Sequence, residues 1–147
     1  MKDVVTKLIY TPVPKAFVKA VWPDVERVLR RSVATARGKY SLQDIYDAIM
    51  RDVYVLWIVL DDDQVIAAIT SRIEQYPGPH RALALDWIGG TRMAEWLPLA
   101  HRAMIAYAKD HECTHLEGFG RKAWGRWLEK YGWQPEYIAY RMELNNG

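Results

Sequence analysis

The chain has a single cysteine, Cys113, in 147 residues, so no internal disulfide can form and the composition suits a reducing compartment. No apolar run is long enough to span a bilayer. The N-terminal residues Met1-Lys2-Asp3-Val4-Val5-Thr6-Lys7 lack the apolar core of a secretory signal. The cytoplasm is therefore the expected location, and no membrane association is expected. An excess of one charge is missing too. The 20 basic and 18 acidic residues leave a formal charge of only +2, so the overall balance calls for neither nucleic acid nor an anionic membrane. Repeats, linkers and low-complexity tracts are absent, and residues 1–147 read as one domain large enough to bury a core.

Half the residues are hydrophobic, and seven Trp and nine Tyr accompany only two Phe, a composition of a folded globule rather than a disordered chain. Residues 4–13 have the character of a short strand ended by Pro12 and Pro14. Trp22-Pro23-Asp24 predicts a helix start with Pro in the first turn, and Val25, Val28, Leu29, Val33 and Ala36 then share one face. Arg27, Arg30, Arg31, Arg37 and Lys39 read as the solvated side of that helix, which Gly38 ends. Ser41-Leu42-Gln43-Asp44 has the form of a capping box with Asp in place of Glu, opening a second helix with Leu42, Ile45, Tyr46, Ile49 and Met50 inward.

Val53 to Leu60 is nearly all apolar and predicts a central strand. Asp61-Asp62-Asp63-Gln64 is a hairpin turn, Val65 to Gln75 the returning strand, and Tyr76-Pro77-Gly78-Pro79-His80 a loop. A strand over 82–88 stops at Gly89-Gly90, and a helix follows to about His111, with Met93, Trp96, Leu97, Ala100, Met104, Tyr107 and Ala108 inward. Pro98 either marks a later start of that helix or kinks its first turns. A short strand over 114–119, a last helix from Lys122 to Tyr131 stopped by Gly132, and a closing strand from Tyr137 to Leu144 complete the chain. The helix joining the 82–88 and 114–119 strands makes those two parallel. The expected fold is thus a mixed α/β domain, its mostly antiparallel sheet containing one parallel pair and flanked by about four helices.

A strand that ends in Gly-Gly and opens into a helix leaves backbone N–H groups unpaired at the helix start, where an anion such as a phosphate is favoured. The same residues also suit a tight connection with no ligand. The carboxyl end of a strand beside its parallel neighbour is where α/β sheets bind ligands.

This order of elements, with these residues at its turns, resembles the GNAT superfamily of GCN5-related N-acetyltransferases. The resemblance is carried by Leu56-Trp57-Ile58-Val59 before the Asp turn, Ala67-Ala68-Ile69-Thr70 after it, Trp87-Ile88-Gly89-Gly90 before the long helix, Cys113-Thr114-His115-Leu116-Glu117, Gly120-Arg121-Lys122-Ala123-Trp124, and Gly132-Trp133. It is strongest between Trp57 and Trp133, and the chain is most similar to small GNAT-like proteins encoded in phage genomes. The resemblance implies acetyl-CoA as cofactor, with Trp87, Ile88 and Gly89 along its pantetheine arm and Gly90, Thr91, Arg92 and Met93 at its pyrophosphate. It implies direct acetyl transfer to an amine, with Asp86 at the strand end as the candidate base.

Two departures oppose catalysis. The superfamily's Arg/Gln-x-x-Gly-x-Gly/Ala turn is not matched by Gly89-Gly90-Thr91-Arg92-Met93-Ala94, and Leu128 stands where the superfamily has its acidic Tyr. Tyr131 is close to that position but lies three residues further around the helix. Two functions follow. One is acetyl-CoA-dependent N-acyl transfer to an amine acceptor that the sequence does not name. The alternative is a non-catalytic protein of this fold, binding phage structural or host proteins in the host cytoplasm or the virion, with an oligomer compatible with either.

His111-Glu112-Cys113-Thr114-His115 matches the zinc-protease pattern H-E-x-x-H, which needs both histidines on one helical face and a further ligand. The segment straddles the expected helix end and no third ligand is evident, so no metal is expected. Cys113 has no catalytic signature around it. Trp124, Trp127, Tyr131 and Trp133 suit a core face as well as a stacking surface, and Tyr76 and His80 suit either contact with an acceptor or an ordinary surface loop.

Overall fold

The computed structural model describes residues 7–120 and 124–144. Val4 to Thr6 of the expected first strand and Lys122 and Ala123 of the expected last helix lie outside that range, as do Arg121 and the three C-terminal residues.

Strand β1 (Leu8–Pro12) leads into helix α1 (Lys15–Ala34), and helix α2 (Leu42–Met50) follows. Strands β2 (Val55–Asp61) and β3 (Gln64–Gln75) form a hairpin around Asp62 and Asp63, with Asp62 in the left-handed region at φ 53°. An Asp tolerates that conformation better than most residues. Strand β4 (Arg81–Leu85), strand β5 (Ile88–Gly90) and helix α3 (Met93–Asp110) come next, then strand β6 (His115–Gly118) and a short helix α4 (Gly125–Glu129).

The sheet runs β1-β2-β3-β4-β6 and is antiparallel except for the β4–β6 pair, which is parallel as the crossover through α3 requires. The twelve-residue β3 carries two partners on one edge: β4 pairs with its Arg72–Gln75 end and β5 with Ala67–Ile69. Arg72 faces Ala84 while Ile69 faces Ile88, so three steps along β3 match four on the opposing chain. The surplus residue is a bulge at Asp86–Trp87, and it breaks the single expected strand over 82–88 into two.

Two cores sandwich the sheet. Val18, Val25, Leu29, Ile45, Ile49, Leu56, Ile58 and Trp87 pack beneath α1 and α2. Trp57, Val59, Ile69, Leu83, Trp96, Leu97 and Met104 pack beneath α3. The capping box forms as its residues imply: the Asp44 amide donates to Ser41 Oγ at 3.2 Å and the Ser41 amide to Asp44 Oδ2 at 2.8 Å. That backbone hydrogen bond from Ser41 is the main cause that holds the Asp44 carboxyl below its usual range.

Three expectations are corrected. Helix α1 begins at Lys15 rather than at Trp22, with Pro23 inside it; Val18 and Trp22 are buried along with Val25, and this continuous apolar stripe outweighs the one backbone hydrogen bond that a proline removes. Of the two readings of Pro98, the later helix start falls: α3 starts at Met93 and holds Pro98 in its interior. The closing strand from Tyr137 to Leu144 is not formed; that segment is exposed and unpaired among the described residues.

Candidate functional site

The bulge at Asp86 sets the direction of every group after it. Antiparallel pairing alternates, turning each residue's N–H and C=O first toward the partner strand and then away. The Thr70 amide donates to the Trp87 carbonyl at 2.9 Å and the Thr91 amide to the Ile66 carbonyl at 3.0 Å, so Trp87, Gly89 and Thr91 address β3. The peptide groups of Ile88 and Gly90 therefore point the other way. On that side β6 ends at Gly118, paired with Leu85, and β5 has no strand beside it among the described residues.

A cavity of 870 Å³ opens along this free edge. Its walls include Ile88, Gly89, Gly90, Thr91 and Met93, the α3 residues Trp96, Leu97, Ala100, His101 and Met104, and Phe119, Trp124, Leu128 and Trp133 from the far side. At one end stands the start of α3. No side chain caps it, the Trp96 indole fastens the turn by donating to the Thr91 carbonyl at 2.7 Å, and the Glu95 amide bonds the Arg92 carbonyl at 3.0 Å. Among the described residues, the amides of Met93 and Ala94 have no partner. Those amides, with the helix dipole behind them, suit an anion.

The residues expected to form the cofactor site divide. Ile88, Gly89, Gly90, Thr91 and Met93 line the cavity. Trp87 does not: its ring lies under α1 and α2, donates to the Tyr54 hydroxyl at 3.3 Å and meets Tyr40 edge-on. Arg92 takes the left-handed conformation at φ 60°, and its guanidinium is bound by Asp61 and Glu95. The hydrogen bond from Arg92 holds the Glu95 carboxyl below its usual range. Among the described residues, the arginines that border the cavity are Arg27 and Arg31 on α1, two members of the cluster whose spacing suggested only a solvated face. Arg27 donates to the Val65 carbonyl at 3.1 Å, which tethers α1 beside the hairpin.

The glycines serve the packing as well as the turn. A Cβ on Gly89 would collide with the Val28 carbonyl of α1, and one on Gly90, whose φ is 139°, with Ile66 and Ala67 of β3. Both positions thus require glycine with or without a ligand.

Asp86, the candidate base, also lines the cavity. Its Oδ2 accepts from Arg72 Nε and from the Tyr54 hydroxyl at 3.1 Å, while Oδ1 has only Arg72 Nη2 at 3.5 Å. Burial, followed by the neighbouring Asp86 charge, pushes the Tyr54 hydroxyl above its ordinary value.

Leu128 lines the cavity and offers no proton. Tyr131 packs against His101 with ring centres 4.6 Å apart, and the Trp133 indole donates to His101 Nε2 at 3.0 Å. That bond places the neutral ring's proton on Nδ1. Burial lowers the His101 pKa, favouring the uncharged imidazole. His101 gave no signal in the sequence because a lone histidine on a helix face has no motif around it.

The H-E-x-x-H match spans two elements. His111 closes α3, with Nδ1 2.8 Å from the Tyr107 carbonyl, whereas His115 opens β6 and bonds Glu117 at 2.8 Å. The two do not share a helical face. Tyr76 also reaches Glu117, at 2.6 Å, and this hydrogen bond raises its hydroxyl pKa to about 12. His80 stands edge-on to His115.

No family model matches the sequence, and no curated protein matches it. Solved structures do share its fold. The tetramutant of a Bacillus halodurans protein superposes with a TM-score of 0.72 at 15% identity, covering 92% of this chain and 99% of that one. Glucosamine-6-phosphate N-acetyltransferase from Arabidopsis thaliana gives 0.67 at 11% identity, with 95% and 99% covered. A predicted acetyltransferase from Clostridium acetobutylicum, solved with acetyl-CoA, gives 0.66 at 14% identity, with 95% and 96% covered. Among the described residues, the six-strand, mostly antiparallel sheet with its one parallel pair and four helices matches the GNAT fold.

Proposed function

We propose that this chain is an acetyl-CoA-dependent N-acyltransferase acting on an amine. The observation that carries the reading is the continuity between the outward-facing edge of β5 and the uncapped start of α3 along one 870 Å³ cavity. An extended amide-bearing arm matches the first, and a pyrophosphate matches the second. The peptide groups of Ile88 and Gly90 would bond the arm as an added strand does. The amides of Met93 and Ala94 would bind phosphate oxygens, with Arg31 supplying the positive charge that Arg92, held by Asp61 and Glu95, does not, and Arg27, paired with Asp24 at 3.5 Å, standing beside it. When bound, acetyl-CoA supplies an acetyl group activated as a thioester. Asp86 would take the amine proton on Oδ1, its less occupied oxygen, while Arg72 and Tyr54 fix the carboxylate from the Oδ2 side. Leu128 has no proton for a departing sulfur, so that proton would come from solvent.

Calorimetric titration with acetyl-CoA tests the reading. Micromolar binding, weakened about tenfold in Arg31→Glu, supports it, since a hydrogen bond to a charged group contributes roughly 1.5–3 kcal/mol before exposure weakens it. No heat at millimolar ligand overturns it.

The second reading is a non-catalytic protein of the same fold, acting by contact within a phage particle or with a host protein. It is favoured by Leu128 on the cavity wall and by the neutralised Arg92. A protein that fails to bind acetyl-CoA yet co-purifies stoichiometrically with one partner would support it.

A further inference from the structure

His101 stands on the cavity wall, and its two ring nitrogens are in different situations. Nε2 accepts the Trp133 indole N–H at 3.0 Å, so the neutral ring carries its proton on Nδ1. Tyr131 packs on the ring with centres 4.6 Å apart, and burial favours the uncharged form. Nδ1 has no partner among the described residues. Nor is it sealed in: among those residues, Tyr10 Oη is the one buried side-chain polar atom left without a partner. The Nδ1–H group is therefore a fixed donor that opens on the cavity.

Its height on the wall follows from the two elements that meet at the glycine turn. Helix α3 starts at Met93, and eight residues on, at roughly 1.5 Å each, His101 lies about 12 Å from that start. The strand approaches the same turn, and Trp87 lies four residues before Thr91, about 13 Å away at a strand's rise. Because α3 is the crossover between two parallel strands, it runs back along them. His101 thus stands level with the bulge and with Asp86, not with the anion site at the helix start.

We infer that the Nδ1–H of His101 is the hydrogen-bond donor to the sulfur that departs as a thiolate, a role that rests on the acyl-transfer reading of the site. In that transfer Asp86 takes a proton from the amine. The carbon–nitrogen bond forms as the carbon–sulfur bond breaks, and the sulfur keeps the bonding pair with its negative charge. His101 stabilises that charge and keeps its own proton, since a neutral imidazole that gave it up would become an anion. The proton that ends on sulfur comes from solvent. A donor held in place before the charge develops is worth more in a largely apolar cavity than in water.

The neighbouring wall leaves this task to the imidazole. Ala100, Met104 and Leu128 have no donor, and the Trp133 N–H is already given to Nε2. Leu128 lacks the hydroxyl that would protonate the sulfur, while Tyr131 and Trp133, just beyond it in the chain, fix His101. Trp133 is a positioning residue: by occupying Nε2 it keeps the proton on the nitrogen that opens on the cavity.

Coenzyme A labelled at the carbon bonded to sulfur lets NMR follow the ionisation of its thiol on the protein. The bound thiol should ionise about one pH unit lower on the unmodified protein than on His101→Phe, the effect of a hydrogen bond to a charged acceptor. His101→Phe keeps a ring against Tyr131, and His101→Gln, which keeps an N–H, should retain part of the shift. Histidine nitrogen spectra of the unmodified protein give a second reading. They should show the Nδ1-protonated form, with its N–H signal displaced once coenzyme A is added, and Trp133→Phe should mix the two neutral tautomers. Calorimetry with coenzyme A separates two failures. No binding at millimolar coenzyme A overturns the acyl-transfer reading and this role with it. Binding with a thiol that ionises alike on the unmodified protein and on His101→Phe overturns the role of His101 alone, as does an Nδ1–H signal that bound coenzyme A leaves in place.

Discussion

The α-carbon of Gly89 lies so close to the Val28 carbonyl that no side chain fits between strand β5 and helix α1. The contact joins the cavity floor to the helix that presents Arg27 and Arg31. Gly89→Ala should cost about 2 kcal/mol through overpacking, measured as a lower urea midpoint with unchanged slope. Gly90 is a poor probe of phosphate binding for the same reason: any side chain there meets Ile66 and Ala67, so lost binding in such a variant would report a displaced strand.

Arg72 is the main partner of the largely buried Asp86 carboxylate. Arg72→Met should leave Asp86 with only the Tyr54 hydroxyl and destabilise the fold by about 2 kcal/mol, on the scale of an incompletely paired carboxylate at a partly screened site. Adding Asp86→Asn should recover part of that loss, because the uncompensated charge is gone. Strictly additive effects in the double variant would show that the two side chains are not coupled.

His101 carries a pH dependence with a definite sign. Its pKa is lowered in the folded chain by burial, and the Trp133 N–H can donate only to an unprotonated Nε2. Below its ordinary value of 6.5 the unfolded chain binds the proton more readily, so stability should fall as pH drops from there through the depressed folded value. Melting temperatures across that window should fall less steeply in His101→Gln. An identical slope in both proteins would remove His101 from the account.

Ser41 and Asp44 satisfy each other's backbone at the start of α2. Ser41→Ala should cost about 1 kcal/mol, seen as a lower thermal midpoint. Acetyl-CoA affinity should not change, since α2 does not border the cavity.

What the sequence disclosed, and what it did not, follows from how local each signal is. The Asp62–Asp63 turn, the Ser41 cap and the inward faces of α2 and α3 depend on residues within a few positions of one another, and each could be read directly. The parallel β4–β6 pair followed from the helix between them. The bulge could not be read, because Ala82-Leu83-Ala84-Leu85-Asp86-Trp87-Ile88 alternates no differently from a regular strand; only pairing with β3 exposes the surplus residue. Arg27 and Arg31 face both solvent and cavity, and helical spacing alone cannot separate those two sides. The early start of α1 was hidden by Pro23, whose local preference is overruled by Val18 and Trp22 packing on the sheet.

The surplus residue at Asp86 acts as a change of parity. Before it, odd-numbered Leu83 faces α3; after it, even-numbered Ile88 does, while Trp87 turns to the other core. Removing Asp86 would leave three steps on each chain between the Arg72–Ala84 and Ile69–Ile88 pairs, so Trp87 and Ile88 would keep their faces and the loss would fall on the carboxylate held by Arg72 and Tyr54. A single-codon deletion of Asp86 should therefore remove the candidate base while the pairing of β3 with β4 and β5 is kept.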